Sequence, residues 1–224
     1  MKVAILQAME TEPDQIIPFF KRFDAPFDCQ VFEITRGAYP DTLDVYDAFI
    51  ISGSKKSVYD PDPWIADLAT FIKRCSLEQR KLIGICFGHQ ILAHTLGGYS
   101  AKSEKGWGLG LRTFEIKAQK PWMDPAIEQC SLFFSHQDQV KTLPAGAERL
   151  GGNAFCPNAI YSIEDRVLGI QGHPELTHKI MVMIIERMKE SIGGEAYSDA
   201  LNSLNRGDPD ACTVARWIIN FIRL

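Results

Sequence analysis

Apolar residues in the first half of the chain come in short runs that alternate with stretches of helical spacing. Val3 to Leu6, Val31 to Ile34, Ala48 to Ser52 and Lys81 to Cys86 are brief runs rich in Val, Ile and Phe. Such runs suit strands buried on both faces of a parallel sheet. Asp62-Pro63-Trp64 then offers a capping carboxylate and a proline preset for a first helical turn. Behind it Ile65, Leu68, Phe71 and Ile72 recur at three- and four-residue spacing, which predicts one apolar helix face. Strands alternating with helices predict an α/β fold: a mostly parallel, twisted sheet flanked by helices.

The texture changes between about Gly106 and Gly172. Leu111 to Ile116, Ser131 to Phe134, Ala159 to Ile163 and Val167 to Gln171 follow one another with only turns between them. That succession predicts an antiparallel edge to the sheet. Leu176, Ile180, Met181, Ile184 and Met188 then share a helix face that Gly193-Gly194 ends. Asp208-Pro209 opens a last predicted helix carrying Val214, Trp217, Ile218 and Phe221. With no repeat, linker or low-complexity stretch, residues 1–224 read as a single domain.

Composition narrows the function classes. The formal net charge is -4 and Lys and Arg are scattered, so the cationic stripe that nucleic acid requires is missing. No apolar stretch approaches the ~20 residues that cross a bilayer. The amino-terminal apolar run stops at Met9, followed by Glu10, Glu12 and Pro13, and reads as a first strand rather than a leader. Cys29, Cys75, Cys86, Cys130, Cys156 and Cys212 form no C-x-x-C pair, which predicts reduced thiols and a cytoplasmic protein. His89 and His94, like His173 and His178, stand five apart, off the spacing that puts two ligands on one helix face. Neither a metal nor a cofactor is expected.

The chemistry concentrates at two places. Gly84-Ile85-Cys86-Phe87-Gly88 ends an apolar run and opens a helix, a nucleophile elbow with Cys where Ser is more familiar. Glycines on both flanks leave room where a Cβ would collide, and the helix amino terminus favours thiolate over thiol. The Phe87 N–H is then placed to donate to an oxyanion. The bland alternative is that Cys86 is a small buried hydrophobe. Gln171-Gly172-His173-Pro174-Glu175 follows a predicted strand; its imidazole can relay a proton, and the proline-stiffened segment can hold Glu175 against the far ring nitrogen. Alone, His-Pro-Glu is more often a loop histidine followed by a helix-start acid. Together the two segments supply nucleophile, base and orienting acid.

GICFGHQ at 84–90 and GIQGHPELTH at 169–178 resemble the two signature segments of class I glutamine amidotransferases, the second being similar to the glutaminase domain of GMP synthase. Ser135 to Val140 also resembles the family's stretch before its final catalytic strand. The resemblance implies a flavodoxin-like fold and a Cys86-His173-Glu175 triad. It implies that Gln90 holds substrate, that Gln137 and Asp138 contact it through the backbone, and that Gly53, with Ser54 beside it, completes an oxyanion hole with Phe87. The loop after Ser54 departs from the glycine-glycine-proline of many members, reading Lys55-Lys56-Ser57-Val58-Tyr59-Asp60. His136 is expected to be structural, hydrogen-bonded inside its loop.

Three functions follow. The favoured one is release of ammonia from glutamine for a synthase carried on a separate subunit. The alternative is a stand-alone γ-glutamyl peptidase or hydrolase, and the third is a non-catalytic redox or binding module. A small-molecule substrate, no nucleic acid and no membrane are common to the first two.

Overall fold

A computed structural model describes residues 1–9, 15–25 and 27–224. Glu10, Glu12 and Pro13, which bound the first apolar run, lie outside the described residues. Four predicted runs become strands β1 (Lys2–Gln7), β2 (Asp28–Glu33), β3 (Ala48–Ile51) and β4 (Leu82–Ile85). β5 (Tyr99–Lys102), β6 (Gly108–Ile116), β7 (Gln129–His136), β8 (Asp138–Thr142), β9 (Ala147–Gly152), β10 (Ile160–Ile163) and β11 (Val167–Ile170) follow. Nine of them form one sheet in the order β2-β1-β3-β4-β11-β10-β9-β6-β7, while β5 and β8 pair separately. From β2 to β11 all pairings are parallel; from β11 outward to β7 they are antiparallel.

The parallel strands are buried on both faces, which is why their sequences are continuously apolar rather than alternating. Val3, Ile5, Ile50 and Ile83 face one way, into a core built with α1 (Ile16–Arg22) and α6 (Ala211–Arg223). Ala4, Leu6, Phe49 and Ile51 face the other, against α2 (Pro63–Leu77) and α3 (Phe87–Thr95). A third cluster packs Leu109, Leu111 and Phe133 of the antiparallel edge under α4 (His178–Ile192) and α5 (Gly194–Ser203).

Element ends depart from the sequence expectation where tertiary partners compete. Pro63 does begin α2, but the Asp62 side chain makes no capping bond; its carboxylate accepts from Lys56 Nζ at 2.9 Å. The last helix starts at Ala211 rather than at Asp208-Pro209. Asp210 is drawn out of the helix by β7, its carboxylate accepting from Ser131 N at 2.7 Å while its own N–H reaches Ser131 O at 2.8 Å. Gly193, at φ 80°, breaks α4 as expected, but Gly194 opens α5, a helix the spacing did not announce. Ile34 belongs to a short 3₁₀ turn beyond β2.

The elbow depends on two close approaches. A Cβ on Gly84 would lie 2.3 Å from the Gly88 carbonyl, and one on Gly88 would lie 2.2 Å from Ile51 O. β4, α3 and β3 therefore meet closely only because neither position carries a side chain. Gly88→Ala is expected to destabilise the fold by about 3 kcal/mol, at the upper end of ordinary overpacking because the obstacle is backbone. A urea unfolding midpoint within error of wild type would show that the contact is relieved without cost.

Candidate active site

Cys86 joins the end of β4 to the start of α3 with φ 54° and ψ -105°, outside the regions most residues with a Cβ adopt. Two bonds hold it there: its N–H donates to Ile170 O at 2.9 Å, and its carbonyl accepts from Gln90 N at 3.0 Å. No side chain caps α3, so the first-turn N–H groups, beginning with Phe87, are left without helical acceptors around the sulfur. Phe87 itself is buried, its ring 5.5 Å from that of Trp64.

Strand register brings the second segment to the first. Ile85 pairs with Ile170 across β4 and β11, so the residues that leave the two strands emerge side by side. His173 then donates its backbone N–H to Phe133 O at 2.7 Å, anchoring the segment to β7. Its Nδ1 lies 2.7 Å from Glu175 Oε1, and both side chains are buried. Arg22 fixes the backbone beyond, donating to the Glu175 carbonyl at 2.8 Å. Among the described residues His173 Nε2 has no hydrogen bond of good geometry, and the Cys86 thiol is, after Glu175, the group whose charge acts on the ring.

Burial alone would push the His173 pKa down, because a charged ring loses its hydration. The negative charge of Glu175, and after it that of Cys86, outweighs the loss and holds the pKa well above the usual histidine value. Gly53 completes the cluster. It follows β3, where the Ser52 hydroxyl accepts from Ala8 N at 2.9 Å and donates to Gly53 O at 3.0 Å. A Cβ on Gly53 would stand 3.2 Å from His173 Cε1 and 3.7 Å from Cys86 Cβ. Sulfur, imidazole, carboxylate and two backbone segments thus surround one point, an arrangement suited to nucleophilic attack with proton relay.

The remaining predicted residues sit around that cluster with differing engagement. Gln90 is buried, and its Nε2 is committed to Asp138 O at 2.7 Å and Gln171 Oε1 at 3.1 Å. Its amide braces α3 against β8 and the His173 segment, and only the carbonyl end is left for a ligand. Gln137 O accepts from Ser103 N at 2.9 Å. Ser54 turns inward on its own loop, its hydroxyl accepting from Lys56 N at 3.2 Å. The expectation for His136 needs correction. It ends β7 rather than lying in a loop, and among the described residues neither ring nitrogen has a hydrogen-bond partner. The ring packs instead on Phe134 and Phe155, at 4.8 and 6.0 Å between centroids. Burial first, then His173 and His89, keep it well below the usual histidine pKa and therefore neutral.

Sequence reasoning missed Tyr59, whose hydroxyl donates to Asp138 Oδ1 at 3.0 Å and ties the departing 54–60 loop to β8. A lone aromatic in a loop with no motif gives no signal of such a bond. Among the described residues no group of three or more His, Cys, Asp or Glu side chains could hold a metal, and no helix is long and apolar enough to cross a membrane. No disulfide joins any two of the six cysteines, all of which lie among the described residues.

Comparison with known proteins adds three findings. Residues 24–187 match the family model described as glutamine amidotransferase class-I. Among curated proteins, gamma-glutamyl peptidase 2 of Arabidopsis thaliana is 32% identical over 201 residues, covering 86% of this chain and 81% of that one. A glutamine-hydrolyzing GMP synthase of Thermomicrobium roseum is 34% identical over 138 residues, covering 62% of this chain but 25% of that one. Among solved structures, a glutamine amidotransferase from Thermotoga maritima superposes with a TM-score of 0.77 at 18% identity, covering 99% of this chain and 96% of that one.

The raised His173 pKa has a definite sign for stability. Glu175 contributes stabilisation that is present in full below about 6.5, the unfolded histidine value, and is lost as pH rises through the folded value. Glu175→Gln removes the first of the raising influences, so the ring, followed by NMR, is expected to titrate at lower pH than in wild type. An unmoved or higher titration would remove Glu175 as the cause.

Proposed function

The chain belongs to the class-I glutamine amidotransferase family, and we propose that within it the protein acts alone as a γ-glutamyl peptidase or hydrolase, working through a thioester on Cys86. The observation that carries the reaction is the buried His173–Glu175 pair coupled to a cysteine held at positive φ on a strand-to-helix turn. The preference for γ-glutamyl peptides over ammonia supply, the reading favoured by sequence alone, rests on the relatives. The gamma-glutamyl peptidase match spans 81% of its relative, whereas the GMP synthase match spans 25%.

In the proposed cycle the Cys86 thiolate attacks the γ-carbonyl carbon, and the carbonyl electron pair moves onto oxygen. N–H groups of Phe87 and Gly53 receive that oxyanion. The tetrahedral intermediate collapses with cleavage of the C–N bond, and the leaving amine takes the proton held on His173 Nε2. Glu175 keeps the Nδ1 proton fixed and stabilises the charged ring. Water then attacks the thioester, giving a proton to His173, and collapse releases glutamate with the thiolate restored. Gln90, Gln137, Asp138 and Ser54 form the proposed surroundings of the glutamyl moiety. Bracing by Gln90 of the Asp138 carbonyl suits a backbone-lined pocket better than direct side-chain recognition.

The GMP synthase match, although short relative to that protein, keeps a second reading in play: delivery of ammonia from glutamine to a separate synthase. Steady-state assays on the isolated chain distinguish the two. The peptidase reading expects turnover of γ-glutamyl dipeptides without a partner, at higher kcat/KM than glutamine. Glutamine as the sole substrate, hydrolysed faster when a synthase is added, would overturn it. Cys86→Ala is expected to abolish turnover and, with acid quenching and intact mass measurement, to lose the γ-glutamyl adduct seen on wild type. Glu175→Gln should lower kcat/KM by a factor between about 10² and 10⁴ while leaving Cys86 acylation detectable. Undiminished rates in that variant would remove Glu175 from the triad.

A further inference from the structure

A groove of about 680 Å³ runs over the start of β6, outside the catalytic cluster, between the loop that follows β9 and the turn that follows α5. Its volume falls within the range of pockets that enclose small organic ligands. Trp107, which is 38% exposed, and Phe155 supply apolar surface at the upper end, and Lys105, Arg112 and Arg206 supply charge.

The groove and the catalytic cluster share a wall. Gly108, a groove residue, pairs with His136 across β6 and β7. A Cβ on Gly108 would meet Phe155 Cε1 at 2.5 Å and His136 Cε1 at 3.3 Å. His136 in turn lies within reach of the charge on His173, which helps to keep its own ring neutral. The loop before β6 is tied to the same region by Ser103 N on Gln137 O at 2.9 Å.

The cationic end is built rather than incidental. Arg112 folds back along its strand, Nε donating to Leu109 O at 2.9 Å and Nη2 to Asp199 Oδ2 at 2.6 Å. Arg206 donates to the other oxygen, Asp199 Oδ1, at 3.2 Å. One carboxylate therefore orients two guanidiniums, and each of these keeps further N–H donors beyond the bonds it makes here. Asp208 also lines the groove, so three cationic side chains face two acidic ones and the balance is positive.

We propose that this groove binds the amine-side half of a γ-glutamyl peptide, its apolar side chain against Trp107 and Phe155 and its terminal carboxylate on Arg112 and Arg206. The inference rests on the γ-glutamyl peptide reading above and deepens it, naming the leaving group as an amino acid or short peptide with a free carboxylate. Glutamine, whose leaving group is ammonia, gains nothing from the groove.

The test compares γ-glutamylphenylalanine, its carboxamide and glutamine as substrates of wild type and Arg206→Gln, a variant at an exposed side chain remote from the triad. Loss of a guanidinium–carboxylate contact should raise KM for the free acid about tenfold and leave the carboxamide and glutamine within about twofold. Trp107→Ala should weaken both phenylalanine substrates and spare glutamine. Equal effects on acid and carboxamide, or none on either, would overturn the groove assignment while peptide cleavage by wild type still upheld the peptidase reading. Calorimetric binding to Cys86→Ala separates the two claims in the other direction. Tenfold weaker binding of the acid when Arg206→Gln is added supports the groove even if wild type cleaves no peptide, and unchanged binding overturns it.

Discussion

The register of β11 against β4 is the constraint from which the site is built. Ile85 faces Ile170 in a parallel pair, and the Cys86 N–H closes the ladder on Ile170 O. A one-residue slip would turn every side chain of β11 to the opposite face of the sheet. Val167, now in the core under α2, would exchange places with Leu168 and Ile170 in the core under α6. Both cores are apolar, so shape and not polarity forbids the slip: it would bring a larger side chain to the place of Gly169, where even a Cβ would lie 2.4 Å from Tyr161 Cε1. The distance between sulfur and imidazole is therefore secured by the hydrophobic core of the whole sheet and not by the few polar bonds at its edge.

That mechanical certainty lets the site hold groups that would be costly elsewhere. Glu175 and His173 are both buried, and Glu175 Oε2 has no hydrogen-bond partner among the described residues. A buried pair of this kind is weak evidence of stability, since desolvation offsets much of the attraction. Its effect is to keep one ring charged in a place where burial disfavours charge. His136, equally buried but without a carboxylate, is neutral. Of two buried imidazoles, the one facing Glu175 and the Cys86 thiol is thus held well above the usual histidine pKa, and the one without either is held well below it.

Much of this was legible in the sequence because it is written in backbone requirements. Continuous apolar runs marked β1, β3, β4 and β11, and Gly84 and Gly88 on either side of Cys86 marked a turn whose close backbone approaches leave no room for a Cβ. β5, β8 and β9 were not legible. Asp138–Thr142 and Ala147–Gly152 are short, mixed in polarity and stabilised by partners far along the chain, so local pattern carries little of their energy. The groove was invisible for the same reason: Arg112 and Arg206 are scattered basic residues until Asp199, on a helix the spacing did not announce, brings them together. His136 was misjudged because a histidine in a polar stretch suggests hydrogen bonding, whereas the fold ends β7 there and presents the ring to two phenylalanines.

The division between what was legible and what was not coincides with a division of labour. Residues that the elbow and the strand register position are fixed by the parallel core, where a change of one methyl group collides with backbone. The 54–60 loop, the turn after α5 and the loop after β9 hang on side-chain contacts at the rim, such as Tyr59 on Asp138 and Arg206 on Asp199. Substitution there costs little packing, since these side chains are half exposed. On the function proposed above, one set of bond-breaking groups would be kept while the rim decides which amine is carried to them. Differences in substrate among proteins with this core should accordingly be sought in loops that the sheet does not constrain.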